Sequence, residues 1–393
     1  MREPLSIVML ATKFYATSDM RGGLERSARR LCEQLLRTGS RVTVSTRNYD
    51  GLAARELIDG VMVYRLPIWG RSSAMISLSY LVQALWWLIR HRREYHLIHC
   101  HQSYAPATIG ALAKIVLGKP VLVKVSTADV FSERRELERL PLSRIRRVLL
   151  KRVDRFVAVN RFACEEFGEL GIDPARFSHI PNGVDLPSAV AWDPNAKRAA
   201  RERLGLPWEP IVLFVGRLSA EKRLDALIDA WPRIGRVHPR ASLVLVGDGG
   251  TFRNVETELR ERVQTLGLQE RVHFVGRVDS VLDYLLAADV FVLPSSTEGM
   301  SNALLEAMAV GLPVVATRIP GNAELIQEEN TGLLVPPGDA DALAGAITRL
   351  LSSPDEANRF AQAARRTVEK RFLIARVASD YVDLYDQLLT HTR

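Results

Sequence analysis

The sequence predicts an α/β protein made of two open parallel-sheet domains. Three observations carry this. Short β-branched runs alternate with helical patterns along the chain. A Pro-rich connection at 186–210 interrupts the alternation, which then restarts. The 393 residues are enough for two domains of ordinary size. Continuous apolar strands separated by helices belong to parallel sheets covered on both faces.

In the first half, strands are expected at Ser6–Leu10, Val42–Ser45, Val61–Arg65, Leu97–Cys100, Val121–Val125, Arg155–Val159 and Ser178–Ile180. Helical patterns lie between them near 24–38, 76–92, 105–117, 143–153 and 161–170. After the break, strands are expected at Ile211–Val215, Ser242–Val246, Val272–Val275, Val290–Leu293, Val314–Thr317 and Leu333–Val335. Helices are expected at 220–237, 252–266, 280–287, 302–310, 322–328, 340–352 and 355–370, with a last one at 375–390. The domains are drawn at 1–190 and 191–374. Ligands of such sheets bind at the carboxyl ends of strands, so a cleft between the domains is the expected site.

Hydrophobic residues make up 47% and charged residues 25%, the balance of a soluble globular protein. Cys32, Cys100 and Cys164 are scattered without CxxC spacing, which argues for a reduced compartment and against a disulfide framework or zinc site. The first apolar run is short and soon followed by Lys13, so it reads as a buried strand rather than a signal peptide. The longest uncharged stretch, Ser72–Ile89, is broken by four serines and a glutamine. It suits a buried or interfacial helix better than a membrane span.

Charge is unevenly placed: residues 1–195 carry a net +10 and the remainder −2, giving the overall +8. Residues 131–155 concentrate the excess, and from Ser143 onward leucines and valines interleave with arginines at helical spacing. Such a helix can lie on an anionic membrane surface or form a solvated face packed on a sheet. No aromatic-interleaved module accompanies the charge, so no nucleic acid is expected.

The chemistry gathers around Glu298 to Glu306. Ser301 is a good helix N-cap, and Gly311 followed by Pro313 a good stop. The N–H groups of Asn302, Ala303 and Leu304 then point toward the loop that carries Glu298, where a helix start favours an anion. Two carboxylates beside such a site fit a ligand that has both hydroxyls and phosphates, provided cations stand nearby. Arg217 and Lys222, after the strand that ends at Gly216, are those cations, the arginine as a fork and the lysine as a point charge. Gly22-Gly23 opens the first helix and lets backbone approach a ligand closely, although it is not GxGxxG and implies no dinucleotide.

The ordered set Gly22-Gly23, Pro181-Asn182-Gly183-Val184-Asp185, Gly216-Arg217…Glu221-Lys222, Gly247-Asp248-Gly249 and Glu298-x7-Glu306 resembles glycosyltransferase family 4. The runs from Gly311 to Val315 and from Gly332 to Gly338 extend the resemblance over essentially the whole chain. It implies the GT-B fold and transfer of a sugar, with retention, from a nucleotide-diphosphate donor (a UDP- or GDP-sugar). It implies an N-terminal acceptor domain, completed by the C-terminal helix at 375–393, and a C-terminal donor domain. By matching position, Arg217 and Lys222 bind the diphosphate, Glu306 the ribose and Glu298 the donor sugar. Met300, Ser301, Asn302, Ala303, Leu304 and Leu305 offer backbone N–H groups. Gly216 lines the same strand end, and Gly22 and Gly23 approach the donor phosphate.

Many members carry a histidine after the fifth strand. Here Ser126, Thr127, Ala128 and Asp129 stand there, so Asp129 becomes the catalytic candidate, with Ser126, Thr127 and His101 near the sugar or acceptor. No DxD-type cluster lies at a suitable strand end, so neither a metal nor a cofactor is expected. The reading is a glycosyltransferase of surface polysaccharide or glycolipid synthesis. Its acceptor is lipid-linked or a glycan, and it is cytoplasmic and peripheral on the inner membrane face. A sugar-nucleotide 2-epimerase of related fold, or an inactive nucleotide-sugar-binding protein, are the alternatives.

Overall fold

A computed structural model describes residues 4–14, 23–48, 51–125, 137–138, 142–250 and 253–390. The chain divides into two compact units, Met1–Gly183 with Ile374–Arg393, and Val184–Leu373. The Pro-rich connection belongs to the second unit.

The first unit holds an eight-stranded sheet: β1 (Ser6–Leu10), β2 (Arg41–Arg47), β3 (Arg55–Ile58), β4 (Val61–Leu66), β5 (Leu97–His101), β6 (Val121–Val125), β7 (Arg155–Ala158) and β8 (Phe177–His179). Their order is β3-β4-β2-β1-β5-β6-β7-β8. Every pair is parallel except β3–β4. The antiparallel edge strand β3 is an addition that the sequence reading did not contain. Asp59 and Gly60 close the hairpin with φ of 50° and 81°, the left-handed pair that a two-residue turn needs and that an Asp-Gly dipeptide supplies.

Helices α2 (Ser73–Arg90), α3 (Ala105–Leu117), α4 (Ser143–Leu150) and α5 (Arg161–Gly168) share one core with the sheet. Helix α1 (Gly23–Arg37) packs on the other face with the last helix, Ile374–Thr390, whose Val377, Tyr381, Leu384 and Tyr385 join Ile7, Met9, Leu31 and Leu35. The caps follow local sequence. Ser72 Oγ accepts from the Met75 N–H at 3.2 Å, and Asn160 Oδ1 from the Ala163 N–H at 2.8 Å.

The second unit is a six-stranded, wholly parallel sheet: β9 (Ile211–Val215), β10 (Ser242–Val246), β11 (Val272–Gly276), β12 (Val290–Leu293), β13 (Val314–Thr317) and β14 (Leu333–Val335). Their order is β11-β10-β9-β12-β13-β14. Helices α6 (Pro194–Leu204), α7 (Leu224–Val237), α8 (Glu256–Thr265), α9 (Leu282–Ala287), α10 (Asn302–Ala309), α11 (Pro320–Ala323), α12 (Ala340–Ser352) and α13 (Pro354–Arg371) cover it, and the returning helix is α14 (Ile374–Thr390). Buried Arg201 holds α6 to the sheet: it donates to the Ala287 carbonyl at 2.8 Å and to Asp289 at 2.7 Å, and Asp289 also accepts the Ile211 N–H at 2.7 Å.

Candidate functional site

In the second sheet the strand order reverses between β9 and β12, and a crevice at the carboxyl ends of strands forms where order reverses. Two loops meet there. After β9 the chain passes Gly216 and Arg217 into a single 3-10 turn, Ala220–Lys222; after β12 it runs from Pro294 to the Ser301 cap of α10.

Side chains tie the loops together. Lys222 is ion-paired with Glu298, both side chains being largely buried, and Ser295 Oγ donates to the same Glu298 oxygen at 2.8 Å. Glu221, also buried, accepts from Ser219 Oγ at 2.7 Å and from Arg217 Nη2 at 3.1 Å. Its carbonyl accepts the Ser296 N–H at 2.8 Å, so backbone joins the two loops beside the ion pair.

The floor of the Glu298 loop is equally determined. Thr317 at the end of β13 donates to the Ser295 carbonyl, and buried Asn322 donates to the Thr317 carbonyl at 2.9 Å. Gly321 lies so close that a Cβ there would sit 2.4 Å from the Glu298 carbonyl oxygen and 2.6 Å from that of Gly299. Only glycine permits this approach.

Helix α10 starts as its cap predicts, with a difference in its donors. Ser301 Oγ accepts the Leu304 N–H at 3.3 Å, and the Ser301 carbonyl accepts the Leu305 N–H at 3.1 Å. The expectation that Leu304 and Leu305 offer open N–H groups is therefore corrected, because the cap consumes both. Asn302 and Ala303 open the helix ahead of those bonds, at the end where the helix dipole favours an anion. Glu306, on the second turn, is buried. Arg217, Lys222, Gly216, Glu298, Met300, Ser301 and Glu306 thus stand on the loops and helix at one switch point. Arg217 keeps about half its side chain in solvent, whereas Lys222 is committed to Glu298.

In the first unit the switch point falls between β1 and β5. There Thr12 Oγ1 donates to Gln102 Oε1 at 2.9 Å, and Gln102 holds a left-handed φ of 87°. Such a conformation is uncommon in a non-glycine residue, and here it stands at the strand end that faces the switch point. Gly23 begins α1, while Gly22, Ser126, Thr127 and Asp129 lie outside the described residues. Buried Lys124, just before them, donates to Asn182 Oδ1 at 2.9 Å and approaches Ser27 of α1 at 3.3 Å. Asn182 of the Pro-Asn-Gly motif thus anchors the first turns of α1.

His101 is buried, stacked on His99 at a 4.4 Å ring separation, with Nε2 3.2 Å from Met9 Sδ. Burial, then the Lys124 charge, pushes its pKa down to about 3. His99 is held well below 6.5 by burial, His101 and Lys124. Both imidazoles are therefore neutral at physiological pH.

Sequence reasoning missed the roles of Glu221, Ser295, Thr317, Gly321, Asn322 and Gln102. Ser295 and Gly321 had a signal, since each follows a proline-marked end of an element. The others depend on which strands become neighbours.

A solved structure, HepE from Anabaena in complex with UDP and glucose, matches over 97% of this chain and 99% of its own, at TM-score 0.80 and 22% identity. The class is therefore GT-B, with two Rossmann-like α/β units. Residues 21–187 match the model described as Glycosyltransferase Family 4, and residues 196–367 that described as Glycosyl transferases group 1. D-inositol 3-phosphate glycosyltransferase 2 of Catenulispora acidiphila is 34% identical over 255 residues, 61% of this chain and 59% of that relative. The UDP-Gal:alpha-D-GlcNAc-diphosphoundecaprenol alpha-1,3-galactosyltransferase of Escherichia coli is 30% identical over 285 residues, 71% of this chain and 72% of that relative. The chain belongs to glycosyltransferase family 4.

Proposed function

We propose that this chain is a retaining glycosyltransferase. It moves a sugar from a UDP- or GDP-sugar to a lipid-linked or polysaccharide acceptor in surface glycan synthesis. The observation that carries the reading is the joined loop pair at the second unit's switch point, where Arg217, Lys222, Glu298 and the α10 start converge.

Cleaving a sugar–diphosphate bond builds negative charge on the leaving phosphate and positive character on the sugar. Arg217 offers a half-solvated guanidinium to the first, and the start of α10 adds its dipole. An ammonium has three N–H donors, so Lys222 holds Glu298 and still turns a proton toward phosphate. Glu298, fixed by Ser295 and Lys222, addresses the sugar hydroxyls, and Glu306 the ribose. In this reading Arg217, Lys222 and the start of α10 supply positive charge at the diphosphate.

The acceptor side of the reading assigns Asp129, with Ser126, Thr127 and His101, to the reacting sugar or acceptor, and Gly22 and Gly23 to the donor phosphate. The Escherichia coli relative is named for a diphosphoundecaprenol acceptor, which supports a lipid-linked substrate; the reading places that substrate at the cytoplasmic face of a membrane. Exposed Arg144 and Arg147 of α4, which lies within 131–155, would face anionic headgroups there. Among the described residues no helix is long and apolar enough to cross a membrane.

Donor turnover by the purified protein tests the reading. Glu298→Ala and Arg217→Ala should each lower it by about 100-fold or more, and parent-like turnover in both overturns the assignment. Thermal shift with UDP and GDP reads the base preference. Appearance of a 2-epimer from donor alone would instead identify the isomerase.

A further inference from the structure

Helix α2 presents an anomaly. Tyr80, Ala84, Trp87 and Leu88 pack its inner face into the core, as an amphipathic helix should. Its outer face is apolar too. Met75, Leu78, Val82 and Trp86 follow one another at helical spacing and are 47%, 55%, 49% and 61% exposed, an unbroken stripe ending in Arg90. Trp69, just before the helix, is 50% exposed. A helix that is apolar on both faces belongs inside something, yet among the described residues this second stripe stands about half exposed.

The charges around the stripe say what covers it. Glu94 is the single carboxylate between Gly60 and Ala128, a stretch whose exposed charge is that of Arg71, Arg90, Arg92 and Arg93, since Arg65 and Lys124 are buried and Lys114 is ion-paired with Asp154. On the same side of the sheet α3 packs against both α2 and α4, and Arg146 secures α4 by donating to Thr108 of α3 at 2.9 Å. Helix α4 adds exposed Ile145 and Val148 interleaved with Arg144 and Arg147, after exposed Leu142. A second copy docked by its own equivalent face would bring arginine against arginine, with Glu94 and Glu138, which meets Arg147 at 3.7 Å, set against Arg71, Arg90, Arg92, Arg93, Arg144 and Arg147. An anionic bilayer supplies both requirements, headgroups for the arginines and acyl chains for the stripe, with tryptophans at the boundary.

We infer that α2 is a membrane-insertion element: its Met75–Leu78–Val82–Trp86 face lies in the headgroup–acyl boundary of an anionic bilayer, flanked by arginines of its own end and of α4. This extends the expectation based on 131–155, since insertion is assigned to a helix whose exposed stripe is uncharged. It does not depend on the transfer reaction, because binding is read without donor or acceptor.

The test uses the full chain with vesicles of phosphatidylcholine mixed with phosphatidylglycerol, and with phosphatidylcholine alone, in flotation. The parent should bind the anionic vesicles about tenfold or more tightly than the neutral ones. A Leu78→Ser/Val82→Ser/Trp86→Ser variant should lose about tenfold or more of that binding. Its circular dichroism melt should match the parent's, since the three side chains face solvent. Brominated lipid should quench the parent's tryptophan emission more than that of Trp86→Phe, which needs no polar substitution. Equal binding by the triple variant, equal quenching in Trp86→Phe, or no preference for anionic vesicles overturns the inference. A parent dimer that the triple variant dissociates, with vesicle binding unchanged, also overturns it and assigns the face to a second copy.

Discussion

Lys222 and Glu298 form an ion pair between the loops after β9 and β12, and Ser295 Oγ completes the shell of the same carboxylate oxygen. Both side chains are largely withdrawn from water, so removing either leaves a charge without its partner. Lys222→Met and Glu298→Ala should each cost about 1–3 kcal/mol of stability. The Lys222→Met/Glu298→Gln double variant should recover part of that loss in denaturant melts, the coupling expected of residues in contact. Activity should stay about 100-fold down in all three if, as proposed, the pair also serves the donor. Recovered turnover in the double variant would reduce the pair to a structural brace.

Arg217 should behave in the opposite way. Its guanidinium is about half in solvent and meets Glu221 at 3.1 Å. A pair so exposed contributes at most about 1 kcal/mol. Arg217→Ala should therefore melt close to the parent while losing about 100-fold in kcat/KM for the donor. Arg217→Lys should recover only part, because a point charge replaces a planar fork. Steady-state kinetics beside a thermal melt separate the two effects.

The two-domain α/β plan and the convergence of the candidate site residues on one strand-end crevice were largely legible in the sequence, because their signals are local. Ser301 caps α10 within four residues, and Arg217 and Lys222 stand in one short loop after β9. The Lys222–Glu298 partnership was not, since the residues are 76 apart and only the placing of β12 beside β9 joins them. The missed strand β3 had a signal in Asp59-Gly60, outweighed by three charged residues over Arg55–Asp59. His99 and His101, two apart on one strand, necessarily share a face. Their burial depends on Tyr381 and Tyr385 of α14, nearly the whole chain later.

Gly321 makes a sharper test of the Glu298 loop than any charge change. A methyl group there would meet the Glu298 and Gly299 carbonyl oxygens at 2.4 and 2.6 Å, so loop or turn must move. Gly321→Ala should cost about 1–3 kcal/mol and lower kcat without touching a charged group. Gly235, inside α7, has nothing within 4 Å of the same added atom. Gly235→Ala should raise stability by about 0.5–1 kcal/mol and leave turnover unchanged. If both variants show the same activity, the close approach at Gly321 is not what positions Glu298.

The stacked histidines predict how the protein responds to acid. His99 Nδ1 lies 2.7 Å from Tyr385 Oη, and its ring stacks on His101 and on Tyr381. Burial keeps both imidazoles neutral in the folded chain, with His101 held down to about 3 and His99 well below 6.5. Unfolded, each takes its proton near the ordinary value of 6.5. Between these limits the unfolded chain binds more protons, so stability is full above pH 6.5 and is lost as pH falls toward 3. The slope is about 1.4 kcal/mol per pH unit for each histidine. Denaturant melts from pH 7.5 to 5 should show the decline beginning near 6.5. His101→Gln should remove one histidine's share of the slope, whatever it does to stability at neutral pH. A pH dependence as steep in the variant as in the parent would show that acid acts elsewhere than on this stack.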